Sequence, residues 1–319
     1  MDTAAASAAD APIYIVGRRH SGTTFLDVAL GSSDRIRSLG EIVTGLHNGE
    51  REVLAGGETL ASSPFWSGAR RLHRERTGRD LLEDGEWLYR LSSIKRFASA
   101  LFADAATHPL WSRYRTLNRD LMDTLARCAD GRRILDSNKE YTRGLMFLKG
   151  YERALVLHMV RNPVAIAGSH YYRIREKDMP VGFMKRHFRP GPFLFPVLMV
   201  TVGLSWTVGM VAAALTKARH PGRVLDISYE RLCDDPAGEF RRIGAFLGVD
   251  LEPVVARIER GEPLSASHTV GGNELKLDGS FTFVPNAEGR RHLPAPYRWG
   301  IHLFALPGYA LRRLAVRFD

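Results

Sequence analysis

The sequence predicts an α/β fold: a single domain built on a P-loop-like, mainly parallel sheet flanked by helices, with a helical insertion. Three observations predict it. Short apolar, β-rich runs alternate with helix-patterned segments, a glycine-bearing polar turn joins the first run to the first helix, and no Pro/Gly/Ser-rich linker divides the 319 residues. In sheets of this kind ligands bind outside the carboxyl ends of the strands, so the turns after the strands are where function is sought.

Taken in order, Ile13 to Val16 is the first strand, ending at Gly17, and Phe25 to Leu30 has the pattern of the helix after it. Ile36 to Leu39 reads as a second strand. Residues 50 to 130 read as the helical insertion, amphipathic over Glu86 to Phe102 and Leu117 to Cys128, with Gly, Ser and Pro punctuation near residues 56 to 68. Strands return at Arg133 to Asp136, Ala154 to Val160 and Val224 to Ile227, each followed by a helix-like segment. The expected division of residues 1–319 is therefore 13–49, the insertion at 50–130, a second half at 132–280, and a basic, apolar tail at 281–319.

Hydrophobic residues at 45% and charged residues at 25% exclude wholesale disorder, collagen and low-complexity classes. The net charge of +10 asks for a polyanionic partner: nucleic acid, a phosphate-rich small molecule or an anionic membrane. No RNA- or DNA-binding motif is present, and the basic residues gather around the motifs described next, so nucleic acid is not the expected partner. Two cysteines, Cys128 and Cys233, make no disulfide framework, and no Cys/His cluster has metal-ligand spacing, so no metal is expected and a reducing cytoplasm fits best. Met1 to Pro12 has neither the basic nor the apolar region of a signal peptide.

Gly17-Arg18-Arg19-His20-Ser21-Gly22-Thr23-Thr24 has the Gly-x-x-x-x-Gly spacing of a phosphate loop, in which glycines let backbone N–H groups wrap an anion at a helix N-terminus. Position 23 is Thr where a nucleotide triphosphatase needs Lys, which disfavours the alternative of a P-loop nucleotide-dependent kinase. Ser21-Gly22-Thr23-Thr24 resembles the 5′-phosphosulfate loop of the sulfotransferase superfamily, whose members take a sulfuryl group from 3′-phosphoadenosine 5′-phosphosulfate (PAPS) and release 3′-phosphoadenosine 5′-phosphate (PAP). That family's loop is usually written with a basic residue just before it. Here that residue is His20, with Arg18 and Arg19 further out, and which of the three contacts the phosphosulfate stays open.

A second motif is independent of the first. Arg161 follows a strand and Ser169 stands eight positions on, two turns into the next helix, so a charged fork and a hydroxyl can meet one phosphate. This spacing resembles the family's 3′-phosphate motif. Ser228-Tyr229-Glu230-Arg231-Leu232 with Phe246-Leu247-Gly248 is similar to a further family segment, which implies an adenine contact for Tyr229. The segment His268 to Lys276 resembles a C-terminal Gly-Asn loop of bacterial members, which implies that Lys276 closes over the nucleotide.

Sulfuryl transfer is an in-line displacement that needs a base for the acceptor hydroxyl and cations for the charge on the leaving phosphate. Gly40-Glu41 resembles the pair of the carbohydrate and tyrosylprotein branch, which implies that Glu41 is the general base, with His20 the competing base. Lys139, in Asp136-Ser137-Asn138-Lys139, matches a lysine that the resemblance places at the leaving oxygen. The implied acceptor is a hydroxyl of a small molecule, sugar or glycolipid.

Phe193 to Leu215 is 23 residues without a charge, long enough to span a bilayer. One crossing would separate Arg161 and Ser169 from Tyr229, which the motifs place on the same ligand, so a buried or interfacial helix is expected instead. The basic segment Arg173 to Arg189 and the tail Trp299 to Phe318 suit either an enzyme peripheral to the anionic inner face of the membrane or a basic rim over an anionic ligand.

Overall fold

A parallel strand covered on both faces needs apolar side chains at successive positions, and β1 (Ile13–Gly17) has them: Ile13, Tyr14, Ile15 and Val16 are all buried. The computed structural model describes residues 11–176, 194–265, 268–271, 280–283 and 293–315. Around β1, strands β2 (Ile36–Ser38), β3 (Arg133–Lys139), β4 (Leu155–Val160) and β5 (Val224–Ser228) form a five-stranded sheet in the order β2-β3-β1-β4-β5. Every pairing in it is parallel.

The two faces of the sheet carry two cores. Ile13 and Ile15, with Leu135, Leu157 and Ile227, pack against α1 (Thr23–Gly31), α11 (Pro236–Leu247) and α12 (Glu252–Glu259). Tyr14 and Val16, with Ile134 and Val156, pack beneath α2 (Ile42–Asn48), the insertion and α7 (Tyr141–Gly150). The insertion consists of α3 (Pro64–Thr77), α4 (Leu81–Leu91), α5 (Phe97–Phe102) and α6 (Pro109–Arg127). The amphipathic stretch expected over Glu86 to Phe102 is broken in the middle. Ser92 Oγ turns back to the Leu88 carbonyl at 2.8 Å, and Ser93 caps a short 3₁₀ turn at Ile94–Arg96, because serine hydroxyls compete with the helix for backbone partners.

The third strand is longer than its apolar run. Asp136 to Lys139 belong to β3 itself, and one extra residue enters β3 between the pairs Tyr14–Asp136 and Val16–Lys139. Such a bulge re-aims the side chains beyond it, and Lys139 ends the strand with a φ of 71°. Just before the bulge, Asp136 accepts from Arg143 Nε of α7 at 2.8 Å, and Arg143 Nη1 donates to Tyr114 Oη of α6 at 3.1 Å. Both ion-pair side chains are fully buried, and they tie insertion, α7 and sheet together.

A third core lies beyond β4, where α8 (Pro163–Glu176), α9 (Leu194–Arg219) and α13 (Ala295–Ala315) pack through Val164, Ile166, Trp206, Met210, Ile301 and Ala305. The long apolar run is α9, which buries one side against this core. The short helix α10 (Tyr229–Asp234) follows β5 directly, and β6 (Leu264–Ser265) pairs antiparallel with β7 (Ser280–Phe281) near the end of the chain. Substituting Asp136→Asn leaves a buried guanidinium without its counter-charge and should cost about 3–5 kcal/mol of unfolding free energy by urea titration, the usual penalty for breaking a buried pair. A loss under about 1 kcal/mol would mean that water or another acceptor satisfies Arg143.

Candidate active site

The strand order sets out the site. Because all five strands run the same way, their carboxyl ends open onto one edge. Across that edge stand Glu41 after β2, Lys139 at the end of β3, the 18–22 loop after β1, Arg161 after β4 and Tyr229 after β5. Pairing of Gly17 with Met159 and of Val160 with Ser228 keeps the last three level with one another.

The loop after β1 is bent by left-handed residues at both ends of its tip, His20 at φ 66° and Gly22 at φ 92°. Between them, Ser21 folds back on the Arg18 carbonyl through its N–H at 3.1 Å and its Oγ at 2.6 Å. Gly22 caps α1 with no side-chain hydrogen bond and no acid in the first turn, which leaves the positive end of the helix open to an anion. Thr23 is buried with its methyl against Gly17, so this position supplies no cation. Arg18 supplies one nearby. Burial lowers its pKa from the ordinary value, and its Nε is buried without a hydrogen-bond partner among the described residues. An orphaned guanidinium N–H on the loop that leads into α1 fits an anionic ligand.

Arg161, Ser169 and His20 meet at one place. Arg161 Nη1 donates to the His20 carbonyl at 2.8 Å, and Ser169 Oγ lies 3.2 Å from His20 Nδ1. The edge of the His20 ring also rests on His170, with centroids 4.3 Å apart. Asn162 holds Arg161 in place from both sides: its N–H donates to Glu230 at 2.7 Å, and its side-chain oxygen accepts from Val164 at the start of α8. Trp206 Nε1 of α9 adds a bond to the Arg161 carbonyl at 3.0 Å.

Tyr229 joins the two motifs. Its buried ring lies under the Arg161 guanidinium at 4.1 Å, and a Cβ on Gly22 would stand 2.3 Å from its Cδ2. Only glycine permits this approach, so the glycine of the loop serves the tyrosine as well as the turn.

At the other end Lys139 Nζ forms an ion pair with Glu41 Oε1, and both side chains are largely buried. Asn138 fixes the start of α2 just beyond Glu41: its Oδ1 accepts from the Val43 N–H at 2.8 Å and its Nδ2 donates to Thr44 Oγ1 at 2.9 Å. Directly after β3, burial raises the Glu140 carboxyl above its usual range; the charges of Arg19, Arg18 and Lys139 oppose the rise and Glu41 adds to it. Three cations and two carboxylates thus share this end of the rim.

One neighbour of Glu41 was not anticipated. Val270 runs as a parallel bridge beside Gly40, accepting from the Glu41 N–H at 2.8 Å and donating to the Leu39 carbonyl at 3.0 Å. Gly271, at φ 62°, presses so closely that a Cβ would lie 2.8 Å from that of Glu41. The Gly-Gly pair at 271–272 was the available signal for such an approach. Lys276 lies outside the described residues. Gly22→Ala should displace Tyr229 and lower the melting temperature by a few degrees, the cost of a strained φ plus a ring clash. An unchanged melting temperature in a scanning calorimeter would show that Tyr229 moves freely.

Residues 12–253 match the sequence model of the sulfotransferase family. Among solved structures, the sulfotransferase domain of the Synechococcus olefin synthase is 18% identical with a TM-score of 0.47, over 92% of this chain and 93% of that one. A sulfotransferase from Mycobacterium tuberculosis is 17% identical with a TM-score of 0.47, over 91% and 82%. A mouse sulfotransferase complexed with PAP is 12% identical with a TM-score of 0.46, over 98% and 93%. No curated protein matches the sequence.

Proposed function

The chain belongs to the sulfotransferase family, and from that premise we propose that it moves a sulfuryl group from PAPS to a hydroxyl of a sugar or glycolipid. The observation that carries this reading is the order of groups along the strand edge: carboxylate, lysine, anion loop, arginine, tyrosine. That order matches the order of needs in the reaction, from acceptor proton through bridging oxygen to the far phosphate of the nucleotide.

The residues fit the donor. The open N-terminus of α1 and the unpartnered Arg18 Nε suit the 5′-phosphosulfate, with Arg19 beside them. Arg161 and Ser169 suit the 3′-phosphate, and His20 touches both, which favours a phosphate-binding role for it over a role as base. Tyr229 acts as the wedge that spaces the two anion sites, since its ring is already covered by Arg161 and Gly22.

In the reaction, Glu41 accepts the proton of the acceptor hydroxyl as its oxygen attacks sulfur from the side opposite the leaving group. The new S–O bond forms as the bond from sulfur to the bridging oxygen breaks, and PAP leaves with that oxygen. Lys139 stands at Glu41 and neutralises the charge that builds on the bridging oxygen, while Arg18 and Arg19 balance the equatorial oxygens of the sulfuryl group. Preorganised charges in a buried site act more strongly than in water, and this site has several. A sugar hydroxyl as acceptor is supported by the Gly40-Glu41 pair and a glycolipid by the apolar, basic-flanked segments, and acceptor access would lie between the insertion and the 268–271 segment that abuts Glu41.

Thermal-shift titration with PAP, set beside ATP with magnesium and beside AMP, tests the donor. A saturating ligand stabilises the native state by about 2.7 kcal/mol at a hundred times its Kd, enough to read. PAP should shift the melt strongly and AMP weakly; a shift with ATP and magnesium alone would replace this reading with a kinase. Arg161→Ala should weaken PAP binding about ten- to a hundredfold, the worth of a charged hydrogen bond, and unchanged affinity would move the 3′-phosphate elsewhere. Glu41→Gln should keep PAP affinity while lowering turnover with the best acceptor at least about a hundredfold. Undiminished turnover would take the base role from Glu41.

A further inference from the structure

Helices α9 and α13 lie side by side and run in the same direction: Gly203 sits against Phe304, Thr207 Oγ1 donates to the Phe304 carbonyl at 3.0 Å, and Gly308 sits against Trp206. Their inner faces are filled, but their outer faces are not. On α9, Val197, Leu204, Val208, Val211 and Leu215 recur at spacings of three, four and seven and are 39–50% exposed, so they make one straight stripe. On α13, Trp299 is 77%, Leu303 62% and Leu306 57% exposed. A soluble chain rarely leaves so long an apolar surface without an occupant.

Charge identifies the occupant. Neither helix contains a single Asp or Glu. Exposed Arg298 adjoins Trp299 at one end, and at the other the guanidinium of exposed Arg219 lies 5.7 Å over the ring of Phe102, itself 75% exposed. An acid-free apolar stripe with cations and aromatic rings at its ends has the composition of a helix that lies in a membrane interface. Two copies of this face would bring like charges together in a chain that already carries +10.

We propose that the outer faces of α9 and α13 dock this enzyme on an anionic lipid bilayer, in the plane of the surface and without crossing it. By length and composition Phe195–Arg219 could span a membrane, but its contacts hold it to the domain. Trp206 bonds Arg161, Gly209 packs on the Tyr141 hydroxyl two residues beyond Lys139, and Arg161 and Tyr229, which flank α9 in the chain, touch each other. The docking helices therefore support the candidate active site from behind Arg161, so a bilayer bound to them stands on the β4 side of the domain. The surface is separate from the nucleotide site and does not depend on the donor assigned to it.

Flotation of the full chain with vesicles tests the proposal. The protein should float with phosphatidylcholine vesicles containing phosphatidylglycerol and much less with phosphatidylcholine alone. Leu204→Glu combined with Leu303→Glu should reduce flotation at least about tenfold, because charge on the stripe opposes insertion, while the PAP thermal shift stays that of the parent. Arg219→Glu combined with Arg298→Glu should remove the preference for the anionic lipid. Absence of flotation with either vesicle, or flotation unaffected by the leucine substitutions, overturns the proposal. So does a dimer in sedimentation velocity that the leucine substitutions convert to a monomer, with no flotation, since the face would then belong to a second copy. If flotation holds but PAP gives no shift, the donor reading falls and the docking surface stands.

Discussion

The position of β1 in the middle of the sheet is the constraint from which the active site follows. A strand with parallel partners on both sides must be apolar on both faces, and it must deliver its carboxyl end to the same edge as theirs. With β3 on one side and β4 on the other, the loop after β1 is bracketed by Lys139 and Arg161. The buried Arg143–Asp136 pair protects the arrangement by locking β3 to α7 just before the bulge that turns Lys139 to the rim.

The site works as a balance of charges held at fixed spacing. Arg18 is buried enough that its own pKa falls, which is costly for the empty protein and favourable once an anion arrives. Arg161 is steadied by the Tyr229 ring and by the His20 carbonyl of the loop after β1, so the carboxyl ends of β1 and β4 are tied together. The carboxylate of Glu41 is countered by Lys139 rather than by the loop arginines.

The α9 and α13 pair shows one element serving two environments. Its inner side completes the core beyond β4 and supports Arg161 through Trp206. Its outer side is as apolar as its inner one, which is why the run reads as a membrane span when composition alone is considered. An amphipathic surface helix would show a polar outer face, and this one does not.

Much of the fold was legible because it rests on local patterns. Five strands were readable as short apolar runs, and the two phosphate motifs are each contiguous stretches whose glycines, hydroxyls and cations have meaning at fixed spacing. Three features were not legible, for one reason. The Glu41–Lys139 pair joins residues 98 apart, the wedge of Tyr229 into Gly22 depends on strands that are neighbours only in space, and the bridge of Val270 to Gly40 adds an edge from a distant loop. Strand register and helix packing decide such contacts, and neither is encoded in any short window. What the sequence by itself determined is therefore where the strands lie and which of their ends carry glycine, hydroxyl and cationic residues. Only the tertiary structure decided which of those groups face one another and which side of α9 meets the solvent, because side-chain partners across a sheet are chosen by the order of its strands.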